Sequence, residues 1–198
     1  MASGLELTER TVHLCVDMQR IFMPEGPWAT PWMTRVLPRV ERLVAHAPEA
    51  TIFTRFITPE RPEDMPGAWR AYYERWPQAT RRHLDPAMLD LAPQLARYVP
   101  PAKVFDKPVY SAFAGRKLAE ELRAREADTL VVSGAETDMC VLSTVLGAVD
   151  LGYRVVIATD CVCSSSDACH DALLTVYRDR FSIQVQTAES EEVLAHWR

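Results

Sequence analysis

The sequence predicts an α/β fold built on a parallel sheet, and two observations predict it. Short runs rich in β-branched and apolar residues recur along the chain, and most are separated by helix-length segments with apolar residues three or four positions apart. Strands that alternate with helices indicate a parallel sheet covered on both faces. The near-continuous apolar character of TLVV (129–132) and RVVIA (154–158) agrees, because central parallel strands are buried on both sides.

Six runs are predicted to be strands, and helices are predicted between most of them. The stretch 58–101 is the irregular part: it carries eight of the 14 prolines and is expected to form loops and short helices over the sheet. The predicted strands are TVHLCV (11–16), ATIFTRFI (50–57), AKVFDK (102–107), TLVVSG (129–134), YRVVIATD (153–160) and FSIQVQ (181–186).

The helices are predicted from apolar spacing and from one capping signal. Ser166 and Asp167 are expected to begin a helix after the fifth strand, because serine and aspartate are favoured at helix N-termini. The apolar residues with helical spacing are Leu118 and Leu122 before the fourth strand, and Leu142, Val145, Leu146 and Val149 after it.

Composition restricts the class of protein. At 198 residues, 48% hydrophobic and 25% charged, the chain fits one domain over residues 1–198 with a well-buried core. A net charge of −5 provides no general attraction for nucleic acid or an anionic membrane, so a small-molecule partner is expected. MASGLELTER has no apolar segment typical of a signal peptide, and no run approaches the roughly 20 apolar residues of a membrane span. Five irregularly spaced cysteines indicate the reducing cytoplasm rather than a disulfide framework.

Three reactive side chains follow the carboxyl ends of three predicted strands, where open α/β folds bind their ligands. Asp17 follows strand one, Lys107 ends strand three before Pro108, and the glycine turn after strand four leads to Cys140. Taken singly, each has an ordinary structural explanation. The carboxylate can cap a helix or loop, a lysine is most often a solvated surface charge, and free cysteines such as Cys15 are commonly small buried hydrophobes.

The local backbone gives Cys140 more weight. Thr137 or Asp138 can act as N-cap and place Cys140 in the first turn of a helix. Unpaired N–H groups and the helix dipole favour a thiolate there, and a neighbouring lysine would do the same. The sequence therefore predicts a nucleophilic cysteine with a lowered pKa.

Three motifs together resemble the isochorismatase-like cysteine hydrolases, a family that includes nicotinamidases, N-carbamoylsarcosine amidases, ureidoacrylate hydrolases and biuret hydrolases. The motifs are VDMQRIF, KPVYSAF and GAETDMCVLSTVLGAVDLGYRVVIATDCVCSS. They occur in the family's order and cover nearly the whole chain. The resemblance implies a three-layer α/β/α sandwich with a six-stranded parallel sheet, and a catalytic triad of Asp17, Lys107 and Cys140.

The resemblance also implies the rest of the catalytic apparatus. A cis peptide is expected between Ala135 and Glu136, and the N–H groups of Glu136 and Cys140 are expected to form an oxyanion hole, which stabilises a tetrahedral intermediate. The implied reaction is hydrolysis of the C–N bond of a small amide, carbamoyl or ureido compound through a thioester. Family members are often dimers or tetramers, so a homo-oligomer is expected, with 58–80 as the candidate contact surface.

Two differences between this chain and particular family members narrow the class of substrate. Isochorismatases proper, which cleave an enol ether, do not use a cysteine at the nucleophile position, so Cys140 favours amide chemistry. Nicotinamidases carry a metal-binding Asp and His cluster after the second strand, whereas residues 50–82 contain no histidine. No metal is therefore predicted, and a metal-dependent nicotinamidase is disfavoured.

Aromatic and basic residues stand where the metal site would be. Arg55 is equally compatible with binding a substrate carboxylate, as in an N-carbamoyl amino acid, and with an ordinary ion pair. Phe22, Trp28 and Tyr110 follow the catalytic segments closely and are candidate pocket walls. Four further rings are expected to pack as a lid or subunit contact rather than to bind substrate directly: Trp69, Tyr72, Tyr73 and Trp76.

Rival functions have weaker signals. The segment DCVCSSSDACH (160–170) has Cys and His residues but no second Cys pair at a distance, which disfavours a zinc site; Asp160 and His170 are expected to make structural hydrogen bonds. No GxGxxG or GxxxxGK segment occurs, so no cofactor is expected. A catalytically silent member that binds a protein partner and a thiol redox sensor remain as alternatives to the hydrolase.

Overall fold

A computed structural model describes residues 4–197, and its centre is a six-stranded sheet in which all strands are parallel. Parallel neighbours need crossover connections, and helices provide most of them here. The strands are β1 (Thr11–Val16), β2 (Thr51–Phe56), β3 (Lys103–Lys107), β4 (Thr129–Ala135), β5 (Arg154–Cys163) and β6 (Val185–Ala188).

Seven α-helices accompany the sheet in the described part of the chain. The chain moves from β1 towards β2 on one side and from β4 towards β5 on the other. Right-handed crossovers therefore put the first helix and the fifth on opposite faces, which gives three layers. The helices are α1 (Met33–His46), α2 (Ala68–Arg75), α3 (Pro93–Ala96), α4 (Lys117–Ala124), α5 (Leu142–Asp150), α6 (Asp167–Arg180) and α7 (Ser190–His196).

The strand order positions the site. The sheet reads β3-β2-β1-β4-β5-β6, so the direction of winding reverses between β1 and β4. These two strands pair in register from Thr11 with Thr129 to Val16 with Gly134. A crevice opens beyond the carboxyl ends of strands at such a reversal. The ends of β1 and β4 are therefore the expected position of a ligand.

The core explains why these runs become strands. All residues of β1 and β4 are buried, as expected of central strands covered by helices on both faces. The polar residues of these strands are satisfied internally: His13 Nε2 lies 2.7 Å from Ser133 Oγ, and its Nδ1 lies 3.4 Å from Thr51 Oγ1. Side chains that would otherwise disfavour burial are thus hydrogen-bonded across three strands.

Two strand predictions need correction. The fifth strand extends to Cys163, three residues beyond the predicted end, with an irregularity in its pairing between Ile157 and Val162. The last strand begins at Val185 and not at Phe181. Helix α6 runs to Arg180, and the chain needs the turn over 181–184 before it can enter the sheet, which leaves Ile183 exposed. The run FSIQVQ was predicted to be the strand, but the observed strand begins four residues after the start of that run.

Helices and loops otherwise follow the prediction. Ser166 is the N-cap of α6, and its hydroxyl accepts a hydrogen bond from the N–H of Cys169 at 3.3 Å. The stretch 58–101 contains only α2, α3 and three short 3-10 turns. Within residues 4–197, the longest helices have 14 residues, and none combines the length and hydropathy needed to span a bilayer.

Candidate active site

Asp17 lies directly after β1 and is fully buried. Its backbone has a φ of 50°, which is unusual for a residue other than glycine and turns the chain sharply at the strand end. Thr54 of β2 holds it: the threonine hydroxyl donates a 2.6 Å hydrogen bond to Asp17 Oδ1, and the Asp17 N–H donates to the Thr54 carbonyl at 3.2 Å. These two hydrogen bonds hold the Asp17 side chain and backbone against β2.

Lys107 ends β3 and reaches Asp17 across β2. Its Nζ lies 2.6 Å from Asp17 Oδ2, and the two side chains are 5% and 0% exposed. The ammonium group also donates a 3.1 Å hydrogen bond to the Val109 carbonyl and lies 4.9 Å from the centre of the Phe56 ring. The cation is thus compensated by a carboxylate, a carbonyl and an aromatic face.

Cys140 follows β4 through a constrained turn. At Gly134 φ is 113°, and a β-carbon there would overlap the Val16 carbonyl, so only glycine lets β4 approach β1 this closely. The peptide bond between Ala135 and Glu136 is cis. A single π-helical turn, Thr137–Val141, then carries Cys140 and runs into α5.

Two predictions about this segment were wrong. Cys140 lies in the π-helical turn and not in the first turn of an α-helix, and the N-cap position is occupied by Glu136 rather than by Thr137 or Asp138. The side chains of Thr137 and Asp138 are engaged elsewhere: Thr137 Oγ1 lies 2.9 Å from His170 Nδ1, and Asp138 accepts a 2.6 Å hydrogen bond from Ser164. Both contacts tie the turn to the β5–α6 connection.

The pKa of the Cys140 thiol is raised well above its ordinary value, where the sequence predicted a lowered one. Burial is the main cause, since it disfavours the charged form, and the charge of Asp17 acts in the same direction. Lys107 opposes both but does not overcome them. Burial and the neighbouring Asp17 therefore both favour the neutral form of the Cys140 thiol.

Cys140 opens onto a cavity of about 320 Å³ at the carboxyl ends of the strands. Phe22, Trp28 and Tyr110, which the sequence marked as candidate walls, all line it. Their rings pack together: Phe22 stacks on Trp28 at 6.1 Å between centroids, and Phe56 stacks on Tyr110 at 6.3 Å. The remaining lining residues are Pro27, Ala29, Phe56, Tyr72, Trp76, Glu136, Met139 and Ser165.

Two of the four aromatic rings in and just after α2 line the cavity: Tyr72 belongs to α2, and Trp76 is its C-cap. That the four rings pack as a lid or subunit contact stays a prediction. Tyr73 is fully buried, and Trp69 packs on Tyr110 with centroids 4.7 Å apart. Helical spacing correctly indicated one packed face, but that face is turned towards the cavity.

Arg55 does not line the cavity of Cys140. Its guanidinium pairs with Asp106 through two hydrogen bonds of 2.7 and 2.9 Å, and it lies 3.5 Å from Asp90. It borders a separate depression with Arg20. Successive strand residues point to opposite faces of a sheet, so Arg55 points away from the side on which Thr54 and Phe56 serve the site. Of the two alternatives, the ordinary ion pair is the one found.

Several residues that serve the site were not anticipated. Thr54 orients Asp17, and Gln19 is fully buried between the β1 and β2 loops. The Gln19 amide donates to the carbonyls of Phe56 and Leu89 at 3.2 and 2.7 Å, and it accepts a 2.6 Å hydrogen bond from the Phe56 N–H. Strand alternation would have identified Thr54, but Gln19 carries no local signal.

The segment 160–170 has a structural role. Asp160 accepts hydrogen bonds of 2.7 Å from both the N–H and the hydroxyl of Ser190, at the start of α7. Cys161 and Cys163 are buried and Cys169 is exposed. Across residues 4–197, no group of three His, Cys, Asp or Glu side chains has the arrangement of a metal site.

Comparisons with known proteins identify the family of this chain. The family profile described as "Isochorismatase domain" matches residues 11–189. An uncharacterized isochorismatase family protein, PncA, of Bacillus subtilis is 34% identical over 92 residues, which cover 46% of this chain and 50% of that protein. The nicotinamidase of Escherichia coli is 49% identical over 57 residues, or 26% of this chain and 27% of the enzyme. The likeness therefore spans half the length of these curated relatives or less.

A solved structure extends the likeness of the fold to the whole chain. The cysteine hydrolase from Pseudomonas syringae pv. phaseolicola 1448A superposes with a TM-score of 0.84 and covers 99% of this chain and 98% of its own. Its sequence identity is 24%. At that identity the comparison supports a common architecture, and the chemistry has to be argued from the side chains of this chain.

Proposed function

Because the chain belongs to the isochorismatase family, we propose that it is a cysteine-dependent hydrolase that cleaves the C–N bond of a small amide, carbamoyl or ureido compound. One arrangement carries the proposal: the buried pair of Asp17 and Lys107, 2.6 Å apart, adjoins the Cys140 thiol at an aromatic cavity. Base, cation and nucleophile meet at the strand ends where α/β folds bind ligands.

The first half of the reaction forms a thioester. Asp17 takes the proton of the Cys140 thiol as sulfur attacks the carbonyl carbon, and the carbonyl oxygen becomes an oxyanion. The N–H groups of Glu136 and Cys140 are the proposed donors to this oxygen. When the intermediate collapses the C–N bond breaks, and the proton held by Asp17 passes to the nitrogen of the departing ammonia or amine.

The second half restores the enzyme. Asp17 removes a proton from a water molecule, whose oxygen attacks the thioester carbon, and the C–S bond breaks with return of that proton to sulfur. For an amide, the sum is amide plus water giving acid plus ammonia or amine. Lys107, whose Nζ lies 2.6 Å from Asp17 Oδ2, stabilises the carboxylate at the start of each half-reaction.

The raised pKa of Cys140 favours this coupled mechanism over a redox sensor. Redox-sensing cysteines react as exposed thiolates with a low pKa, whereas Cys140 is buried and its pKa is raised by that burial and by Asp17. A thiol of this kind becomes nucleophilic when a base removes its proton during attack. In this mechanism Asp17 has a chemical role, removal of the thiol proton, in addition to its ion pair with Lys107.

A panel of primary amides, carbamoyl compounds and ureido acids tests the proposal through release of ammonia or amine. The wild-type protein is expected to turn over at least one of them, and Cys140→Ala is expected to lose that turnover by a factor of about 10³ or more. Cys169→Ala removes an exposed cysteine instead and serves as the matched control. Full activity of Cys140→Ala in a folded protein would refute the assigned nucleophile.

A further inference from the structure

The cavity beside Cys140 has an unusual balance of aromatic surface and charge. Six aromatic rings line it, and Glu136 is the one charged side chain among its described lining residues. The six rings are those of Phe22, Trp28, Phe56, Tyr72, Trp76 and Tyr110. Aromatic faces carry negative potential and attract cations, so both kinds of lining group favour positive charge.

The Glu136 carboxylate is held in place without a cationic partner. Its Oε1 accepts a 2.8 Å hydrogen bond from the Ser165 N–H, and the Thr30 hydroxyl lies at 3.5 Å. No lysine, arginine or histidine among residues 4–197 forms an ion pair with it. The pKa of the Tyr72 and Tyr110 hydroxyls is raised mainly by burial, and Glu136 contributes in the same direction, after Cys140, at both.

The cations near the site are already compensated. Lys107 is paired with Asp17 and hydrogen-bonded to the Val109 carbonyl, and Arg55 is paired with Asp106 outside the cavity. The buried Trp28 indole N–H has no hydrogen-bond partner in the described chain, but it is neutral and cannot offset a charge. A carboxylate on a substrate would therefore meet Glu136 without a free cation to balance it.

We propose that Glu136 determines substrate specificity through its charge, and that the cavity takes amides bearing an ammonium or other cationic group while rejecting carboxylates. The cation would lie between the Glu136 carboxylate and the aromatic walls, an arrangement suited to both ion pairing and cation–π attraction. The inference rests on the proposed function, because it places the scissile amide at Cys140. It replaces the N-carbamoyl amino acids suggested by Arg55 with substrates of opposite charge.

Three amides of nearly equal shape provide the test: para-(aminomethyl)benzamide, para-methylbenzamide and para-carboxybenzamide, which are cationic, neutral and anionic at neutral pH. Calorimetry with Cys140→Ala measures binding without turnover. The cationic amide is expected to bind about tenfold or more tighter than the neutral one, and the anionic amide more weakly than both. Equal affinities for the cationic and anionic amides would overturn the proposal.

The same titrations with Glu136→Gln added separate charge from structure. Glutamine keeps the Oε1 acceptor for the Ser165 N–H and loses only the charge, so a purely structural Glu136 would leave the cation-to-anion affinity ratio unchanged. The ratio is expected to fall about tenfold or more. Glu60→Gln, which removes an exposed carboxylate that does not line this cavity, is expected to leave the ratio unchanged. An equal fall in both variants would indicate only the overall charge of the protein.

Turnover by the wild-type protein distinguishes the two proposals. Hydrolysis of amides without any charge preference would contradict the role of Glu136 and leave the hydrolase intact. Charge-selective binding with no hydrolysis of any amide in the broader panel would contradict the hydrolase and support the recognition of cations. A lower KM for the cationic amide, lost in Glu136→Gln, is the expected result.

Discussion

Lys107 Nζ and Asp17 Oδ2 form a 2.6 Å ion pair whose two side chains are almost completely buried. The partners come from β3 and β1, which are separated by β2 in the sheet. Apolar residues in such a position are often as stabilising as an ion pair. The pair is therefore weak evidence of stabilisation, and it is consistent with the chemistry proposed for Cys140.

Breaking this pair from one side should be costly. Lys107→Met leaves the Asp17 carboxylate buried and uncompensated, and we expect the free energy of unfolding to fall by about 3–5 kcal/mol. Urea denaturation measures this change. Adding Asp17→Asn should recover part of the loss, because the double variant buries no net charge.

A surface pair of similar length is the control for that experiment. Lys103 Nζ lies 2.7 Å from Glu121 Oε1, but the lysine side chain is 52% exposed. Lys103→Met should cost less than about 1 kcal/mol, since exposed ion pairs contribute little. If Lys107→Met cost no more than Lys103→Met, the expected penalty for a buried, uncompensated Asp17 carboxylate would be contradicted.

The raised pKa of Cys140 predicts slow alkylation at neutral pH. Only the thiolate reacts with iodoacetamide, so the rate of labelling at Cys140 should still be rising above pH ~8.5, where an ordinary cysteine is half ionised. Peptide mass spectrometry at a series of pH values measures it. Asp17→Asn removes a negative neighbour that raises the pKa, so its profile should move to lower pH. A wild-type rate that is already constant near neutrality would contradict the burial argument.

The sequence could identify those candidate site residues whose signal is their position at the end of a strand. Asp17, Lys107 and Cys140 stand at strand ends, and the rule that ligands bind at the carboxyl edge of a parallel sheet singles them out. The strand β1 was predicted with its observed bounds, because a buried central strand is apolar throughout. The parallel sheet was predictable because such apolar runs alternate with helix-length segments.

The sequence could not give what depends on three-dimensional packing. The pKa of Cys140 depends on how deeply the fold buries the thiol and on its distance from Asp17, and local sequence encodes neither. The direction in which α2 turns its aromatic face depends on the loops before it, so the sequence did not mark Tyr72 and Trp76 as cavity walls. The Glu136 side chain gained a proposed role only when its neighbours were known.

Arg55→Ala should leave substrate preference unchanged. The guanidinium is paired with Asp106 and lies outside the cavity. The ratio of kcat/KM for an anionic amide to that for a neutral amide should therefore stay within about twofold of the wild-type ratio. Trp76→Ala, which removes part of the cavity wall, is the contrasting variant and should raise KM. Loss of activity towards acidic amides alone in Arg55→Ala would restore the carboxylate-binding hypothesis.

His13 should make the protein sensitive to acid. It is fully buried between Ser133 and Thr51, and burial lowers its pKa to about 3. An unfolded histidine titrates near pH ~6.5, so the stabilising contribution of the neutral ring is present above that pH and is lost as the pH falls towards the folded value. The slope attributable to this residue is up to about 1.4 kcal/mol per pH unit.

Urea unfolding at pH values between about 6.5 and 3 tests the role of His13. The free energy of unfolding should decline less steeply with falling pH for His13→Gln than for wild type. His83→Gln, which changes an exposed histidine, should follow wild type. Parallel curves for His13→Gln and wild type would mean that another group, such as a carboxylate, is responsible for the loss of stability in acid.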